Sequence, residues 1–452
     1  MNIIVNGCGK IGKTIVASLV AEGHDVVAID NNPNVLAEIT NIYDVMGVCG
    51  NGTDSDILSE AGAENAHLIV SVTGSDELNM LTCFLAKKMG TEHTIARIRN
   101  PEYNDKSLGF MRSQLDISLT INPELMAAHA LFNILKLPSA ANIETFSTRN
   151  FEMVELKLKP DSVLDGVKIS DLRSKYKAKF LICAVQRGEE AYIPDGNFVL
   201  KSGDKIGVTS TPAEIIKFMR ELGNQQSRAK KIMILGGGKT SYYLAKKLAG
   251  IGNTVTIIEK NSSVCESLCD ALPKATIVNA DGSEQESLIE EGLLSVDAFV
   301  SLTGMDELNI LIASYAASKN VPKVISKINR TALIPLAEHW GLDTFISPQK
   351  IVSDVLVQYA RALENSQGSS VETLYKLMDD KVELLEFTVK EGLDFLNIPF
   401  KDLKLKKNIL IAGIIRDRKS IIPSGADMLL ANDKVVVLAA NQRINNLSDI
   451  VG

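Results

Sequence analysis

The stretch from Asn2 to Asn31, NIIVNGCGKIGKTIVASLVAEGHDVVAIDN, decides how this chain is read, because it returns as Lys231 to Lys260, KIMILGGGKTSYYLAKKLAGIGNTVTIIEK. Self-similarity over so long a stretch marks a duplication. The same displacement relates Asp30 to Glu259 and Ile193 to Ile422, and Thr73-Gly74 recurs as Thr303-Gly304, so the repeat spans nearly the whole chain. Each half divides again. Leu137-Pro138-Ser139-Ala140-Ala141 and Asn365-Ser366-Gln367-Gly368-Ser369-Ser370 read as linkers, as does Gly223-Asn224-Gln225-Gln226-Ser227 between the halves. Four domains are expected, N1 at 1–137, C1 at 138–224, N2 at 225–365 and C2 at 366–452.

In N1, short apolar runs at Ile3-Val5, Val26-Ile29, Val45-Val48, Leu68-Val72, Thr94-Ile98 and Ile117-Ile121 alternate with stretches of helical period. Strands separated by helices need crossovers, and right-handed crossovers build a parallel sheet covered on both faces. The expected class is therefore α/β, with two tandem Rossmann-like, doubly wound parallel-sheet domains. C1 and C2 read instead as small α+β modules of half-buried strands, such as Val154-Leu158 and Phe180-Val185, with turns at Ile193-Pro194-Asp195-Gly196 and Ser202-Gly203-Asp204. Ile422-Pro423-Ser424-Gly425 and Asn432-Asp433 repeat those turns, so they belong to the duplicated fold.

Composition excludes several classes. The chain has 452 residues, 45% of them hydrophobic, enough for substantial cores. A net charge of -7 with no basic block argues against a nucleic-acid partner. Met1-Asn2-Ile3-Ile4-Val5 enters a strand with no basic leader region, so no secretory signal is expected. No apolar run reaches the roughly 18 to 20 residues needed to cross a bilayer. The six cysteines form no paired framework, as for free thiols in a reducing cytosol. Cys265 and Cys269 stand one helical turn apart, but no further Cys or His lies near them in sequence, and no metal site is expected.

Gly7-Cys8-Gly9-Lys10-Ile11-Gly12 follows the first strand and opens a helix, and Asp30 closes the second strand about twenty residues later. The first glycine permits the tight turn, the second lets backbone approach a pyrophosphate, and the third lets helix and strand pack closely. Lys10 and Ile11 contribute mainly backbone. Asp30 would accept the ribose hydroxyls and repel a 2'-phosphate, favouring NAD(H) or an adenine nucleotide over NADP(H). The competing reading is an unoccupied relic of such a loop. In the second copy, Gly236-Gly237-Gly238-Lys239-Thr240-Ser241 with Glu259, serine replaces the third glycine and the acid reaches farther.

Thr73-Gly74-Ser75-Asp76-Glu77-Leu78-Asn79 follows the fourth strand and recurs as Thr303-Gly304-Met305-Asp306-Glu307-Leu308-Asn309. Thr73 and Asp76 stand at capping-box spacing, so helix capping is expected, and the loop also leaves a strand end where such sheets bind ligands. Asn51-Gly52-Thr53-Asp54 and Asp281-Gly282-Ser283-Glu284 would lie near an adenine. Arg97 and its counterpart Lys327 either reach a terminal phosphate or form a surface ion pair. The five histidines form no catalytic arrangement, so no catalytic residue is assigned. Glu124 to Leu137 and Ile351 to Leu363 are apolar on most of their circumference, and are expected either inside one domain or against another module or subunit.

With the segment Ala96-Arg97-Ile98-Arg99-Asn100-Pro101-Glu102-Tyr103 and the two terminal modules, these loops resemble the TrkA family over the whole chain. Its members are cytosolic regulatory subunits of Trk-type potassium uptake systems, built from two regulator-of-K⁺-conductance units. The resemblance implies a non-enzymatic protein, cytoplasmic and peripheral on the inner membrane face, forming a homotetrameric ring beneath a potassium-translocating membrane subunit. It also implies NAD(H) and ATP or ADP as ligands whose binding gates that partner. Gly7 to Gly12, Asp30, Thr73, Gly74 and Arg97 match the family's nucleotide positions in N1, and Gly236 to Ser241, Glu259, Thr303 and Gly304 match those of N2. Ser241 and Lys327 depart from the N1 pattern and leave the N2 ligand open. A regulator of another cation transporter would share every motif, and an NAD-dependent oxidoreductase would need a proton-transfer residue that the sequence does not reveal.

Overall fold

The computed structural model describes residues 1–101, 103, 105–137, 140, 142–146, 151–223, 228–364, 371–378 and 380–452. Most of the three expected linkers, together with Glu102, lie outside the described residues. The chain divides into two compact units, Met1–Ala128 with Ser347–Ala360, and His129–Ile346 with Arg361–Gly452.

The first unit carries the N1 sheet. Strands β1 (Asn2–Asn6), β2 (Asp25–Asp30), β3 (Met46–Cys49), β4 (Leu68–Ser71), β5 (His93–Arg97) and β6 (Leu119–Ile121) alternate with helices α1 (Lys10–Ala21), α2 (Pro33–Ile42), α3 (Ser55–Glu60), α4 (Asp76–Met89), α5 (Asp105–Gln114) and α6 (Pro123–Lys136). Every strand pairs parallel with its neighbours in the order β3-β2-β1-β4-β5-β6, the doubly wound arrangement. Residues 3–6 of β1 and all of β4 are buried, as strands covered on both faces must be.

The second unit begins with C1: β7 (Asn142–Thr145), β8 (Glu152–Lys157), α7 (Ile169–Lys175), β9 (Leu181–Arg187), β10 (Glu190–Tyr192), β11 (Lys205–Ser210) and α8 (Pro212–Glu221). N2 repeats the N1 plan with β12 (Lys231–Leu235), α9 (Lys239–Gly250), β13 (Thr254–Glu259), α10 (Ser262–Ala271), β14 (Thr276–Asn279), α11 (Gln285–Glu290), β15 (Ala298–Ser301), α12 (Asp306–Ser318), β16 (Lys323–Lys327), α13 (Ile334–His339), β17 (Phe345–Ile346) and α14 (Pro348–Glu364). Its strand order, β14-β13-β12-β15-β16-β17, matches that of N1. C2 holds β18 (Val371–Leu377), β19 (Val382–Thr388), β20 (Ile409–Arg416), β21 (Lys419–Ile421) and β22 (Lys434–Ala440).

The strands of C1 and C2 differ from the half-buried pattern expected of them. Five consecutive residues of β9 and six of β22 are buried. The cause is packing on both faces. One face of the C1 sheet meets its own helices through Leu172, Ile215 and Phe218, while the other meets the C2 sheet in a shared core of Phe151, Met153, Cys183, Leu384, Ala412 and Leu438. A Cβ on Gly413 would stand 2.4 Å from the Phe151 ring, so this glycine admits an aromatic side chain that precedes β8 of the partner sheet. The repeated turns carry a matched staple: Arg187 Nε and Nη2 donate to the two carboxylate oxygens of buried Asp204, and Arg416 does the same with Asp433.

The two apolar helices cross the division between units. Within the first, Val352, Leu356 and Ala360 of α14 join the N1 core beside Ile3, Val5, Ile15 and Leu19, and Thr14 of α1 donates to Gln349 Oε1 at 3.3 Å. Within the second, Phe132 of α6 lies under Lys247 of α9 at 4.8 Å, and the Ala229 N–H donates to Leu135 O. The last turn of α14 is fixed to C2 by Arg361, only 1% exposed, whose guanidinium makes two bonds of 2.9 and 2.7 Å to Glu383.

Candidate functional site

The N1 loop is shaped by where its glycines stand. The Gly7 N–H donates to Ile29 O at 2.8 Å, with φ +92°, and a Cβ there would lie 2.8 Å from Thr73 N. Gly12 is tighter still, since its Cβ would fall 2.0 Å from Gly7 O. Gly9 and Gly74 are the opposite case: both are exposed, and nothing lies within 4 Å of a Cβ built on either. They face open space large enough for another molecule's atoms.

The space beside Gly9 lies before the start of α1, and Gly74 follows Thr73, whose backbone stands beside Gly7. Gly9 is the N-cap of α1 and supplies no side-chain bond, whereas Asn32, Asp54 and Ser75 cap α2, α3 and α4. Among the described residues no side-chain cap bond meets the first-turn N–H groups of α1, and they carry the positive end of the helix dipole. An anion fits there. Lys10 is exposed and Ile11 half-buried at the rim. Cys8 is wholly buried, and burial, reinforced by Asp30, pushes its thiol up to about 12, so it is an inert packing group.

Asp30 closes the loop from the side. Its Oδ2 accepts the Cys8 N–H at 2.7 Å and its Oδ1 the Asn32 N–H at 2.9 Å. A carboxylate has about four acceptor positions, so capacity for a diol remains.

The Thr73 loop departs from the capping expectation. Ser75, not Thr73, caps α4, accepting the Leu78 N–H at 3.2 Å. Both Thr73 N–H and Thr73 Oγ1 donate to Asn79 Oδ1, at 2.8 and 2.7 Å, and Asn79 Nδ2 donates onward to Arg97 O at 2.9 Å. Asp76, one residue into the helix, accepts the Arg99 and Asn100 N–H groups at 2.8 Å each. Asp76 and Asn79 therefore lock the loop after β4 to the end of β5. Sequence reasoning missed this role, although the exact return of the four letters DELN was its signal. Asn6 adds a further tie, donating to Ser71 Oγ and Thr82 Oγ1 beneath Gly52. Asn51 accepts the Thr53 N–H in a tight turn at the end of β3.

Arg97, the last residue of β5, is paired with Glu124 in the first turn of α6 at 3.2 Å, with side-chain exposures of 12% and 19%. It is thus no surface pair. Burial lowers the guanidinium's proton affinity and Glu124 works against that shift.

The N2 site repeats this plan with changed parts. Gly236, at φ +98°, donates to Ile258 O, and the Gly237 and Asn261 N–H groups donate to Glu259 at 2.6 and 2.8 Å. Ser241 turns its hydroxyl onto Gly236 O at 2.5 Å, while Gly238 and Gly304 face open space and α9 also lacks a side-chain cap. Lys239 is exposed and Thr240 buried. Thr303, Asn309 and Lys327 O reproduce the Thr73 network, and Asp281 accepts the Ser283 N–H. Leu235 replaces Asn6 against Gly282, and Lys327 Nζ reaches Leu302 O at 3.4 Å. Each half therefore gathers its glycine loop, acid and Thr-Gly loop at the carboxyl ends of adjacent parallel strands, with Arg97 or Lys327 ending the next.

A duplicated α/β domain with an anion-ready loop, each copy followed by a small sandwich-forming module, defines the class. The TrkA-N domain profile matches residues 3–114 and 232–348, and the TrkA-C domain profile matches 153–223 and 384–452. The chain belongs to the TrkA family. It is 31% identical to the Trk system potassium uptake protein TrkA homolog 1 of Methanosarcina mazei, over 97% of each chain. It is 29% identical to the Trk system potassium uptake protein TrkA of Haemophilus influenzae, over 99% of this chain and 96% of that one. In fold it is similar to the GsuK RCK domain (TM-score 0.64, 15% identity, covering 97% of this chain and 92% of that one) and to the GsuK channel bound to NAD (TM-score 0.63, 14% identity, 97% and 76%).

Proposed function

We propose that this chain is a nucleotide-binding regulatory subunit of a Trk-type potassium uptake system, acting through four domains at 1–137, 138–224, 225–365 and 366–452. The observation that carries the reading is the uncapped start of α1, where Gly9 faces open space and the Asp30 carboxylate holds the Cys8 N–H, with Gly74 also open in the neighbouring loop. A pyrophosphate fits against the helix N-terminus and a ribose against Asp30, which favours NAD(H), ATP or ADP over NADP(H). The names of the relatives support the potassium system, and the NAD-bound GsuK channel supports the ligand class. The role is regulatory, not catalytic.

Among the described residues no helix is long and apolar enough to cross a membrane. A peripheral place on the cytoplasmic face, beneath a potassium-translocating membrane subunit, suits such a chain. Leu81 on α4 and its counterpart Leu311 on α12 are exposed by 46% and 56%, with exposed Leu78 one turn before the first and exposed Met305 at the N-cap of α12. Matching apolar faces on both halves support assembly with further copies, as a tetrameric ring. A nucleotide whose phosphates reach Arg97 would favour one packing of neighbouring N domains. A coupling of roughly 1 to 3 kcal/mol would change the open population of the partner several-fold or more.

Gly9→Leu and Gly238→Leu fill the open space without touching protein atoms at the Cβ, so they block ligands and spare the fold. In cells lacking the native chain, these variants should accumulate normally but fail to restore nucleotide-responsive rubidium uptake. Full restoration would contradict the proposal. Recovery of a different cation transporter with the chain would point to the second reading, a regulator of another system.

A further inference from the structure

A cleft of about 430 Å³ lies between C1 and N2, within one compact unit and at the amino end of β16, whereas the glycine loops sit at the carboxyl ends of their strands. Leu156 and Leu158 at the end of β8 form one wall, and Val321 and Leu342 of N2 belong to the other. This is the volume of a small-molecule site and more than a bare ion fills.

Lys323 lines the cleft from the N2 side with a side chain only 5% exposed. Its ammonium donates to Ala140 O at 2.8 Å and to Thr344 Oγ1 at 2.6 Å. An ammonium has three donors, and among the described residues its ion-pair partner, Asp343 Oδ1, stands 4.0 Å away, beyond hydrogen-bond reach. Among the described residues, this buried cation thus keeps one N–H without an acceptor, beside a cavity. Burial pushes the amine down to about 8, Lys159 adds to that shift and Asp343 opposes it. The other charged groups lining the cleft are Lys157 and Asp161, so three lysines face two aspartates.

We propose that this cleft is a ligand site for a small organic oxyanion, a carboxylate or a phosphate ester, whose charged end pairs with the Lys323 ammonium and whose body lies against Leu156, Leu158 and Leu342. The anion completes the hydrogen bonding of a buried cation, which is where a charge-assisted bond gains most. Since C1 and N2 supply opposite walls, the occupant stabilises one packing of the two. It also raises the proton affinity of Lys323, so binding weakens as the pH rises past about 8. The inference does not depend on nucleotide binding at either glycine loop.

The test is site-resolved reactivity of the Lys323 amine in the full chain. Reductive methylation with formaldehyde, a small neutral reagent, is followed across pH by peptide mass spectrometry, in chloride and then in phosphate or hexanoate at equal ionic strength. Either oxyanion should lower Lys323 labelling several-fold near pH 8 and move its midpoint upward, with exposed Lys231 unchanged. Protection by phosphate alone assigns a phosphate ester, by hexanoate alone a carboxylate. Lys159→Ser, at an exposed position, should weaken the protection and leave the fold intact. Equal labelling in chloride and in both oxyanions, or no labelling of Lys323 at any pH, would overturn the proposal.

Discussion

Arg97 Nη2 stands 3.2 Å from Glu124 Oε1, joining the end of β5 to the first turn of α6 in a mostly buried ion pair. The pair is not saturated: Arg97 Nε and Glu124 Oε2 are buried without a hydrogen-bond partner among the described residues. A phosphate arriving at Arg97 competes with Glu124 for the guanidinium. On the proposed reading, the residue that meets the phosphate is thus also tied to the helix that leaves N1.

Arg97→Ala should therefore lower affinity for ATP relative to ADP. Loss of one charge-assisted bond is about 1.5 to 3 kcal/mol, roughly a tenfold change or more in the ratio. Glu124→Gln should shift the ratio the other way by releasing Arg97. Calorimetric titration of both variants checks this, and an unchanged ratio would remove Arg97 from the site.

Gly12 and Ser241 occupy equivalent places under different constraints. Gly12→Ser drives a Cβ to within 2.0 Å of Gly7 O and should destabilise N1 by about 2 to 4 kcal/mol, read by denaturant unfolding. Ser241→Ala removes the bond to Gly236 O and should cost only about 1 kcal/mol.

The Arg361 guanidinium is held by the Glu383 carboxylate in an almost fully buried place. Glu383→Ala removes two charge-assisted bonds from a buried guanidinium and should destabilise the second unit by about 3 to 5 kcal/mol. Replacing both residues with leucine should cost far less. Equal losses in the single and double variants would mean that packing, not charge, holds the end of α14.

Lys323 gives the chain an alkaline dependence. Its amine sits near 8 when folded against an ordinary value of 10.5, so between these limits the unfolded chain holds a proton that the folded chain has shed. Stability should rise with pH through this window, relative to Lys323→Met, and the penalty should return as the pH falls toward 8. Parallel denaturant series at several pH values would show it.

The strands and glycine loops of N1 and N2 were legible because local period and turn chemistry specify them without reference to the rest of the chain. Cys8 to Gly12 needed only the preceding strand and the following helix to be read. The roles of Asn79 and Glu124 were not legible, since each depends on a partner brought close by the crossover, Arg97 O and the Arg97 guanidinium. The cap of α4 was misplaced by two residues because Thr73 and Ser75 offer the same hydroxyl and only the loop geometry chooses between them. Residues 352–360 show the same limit at longer range. Apolarity over most of their circumference required cover, but nothing local says that Ile3 and Leu19 supply it.

The central claim is that the glycine loops hold a nucleotide whose ribose diol is recognised by an acid. Equilibrium binding of NADH, NADPH, ATP and ADP to the purified full chain tests it most directly. The account predicts saturable binding of NADH or an adenine nucleotide at one or two sites per chain, lost at N1 in Gly9→Leu, with NADPH excluded. Binding of none of the four, or NADPH binding as tightly as NADH, would contradict it.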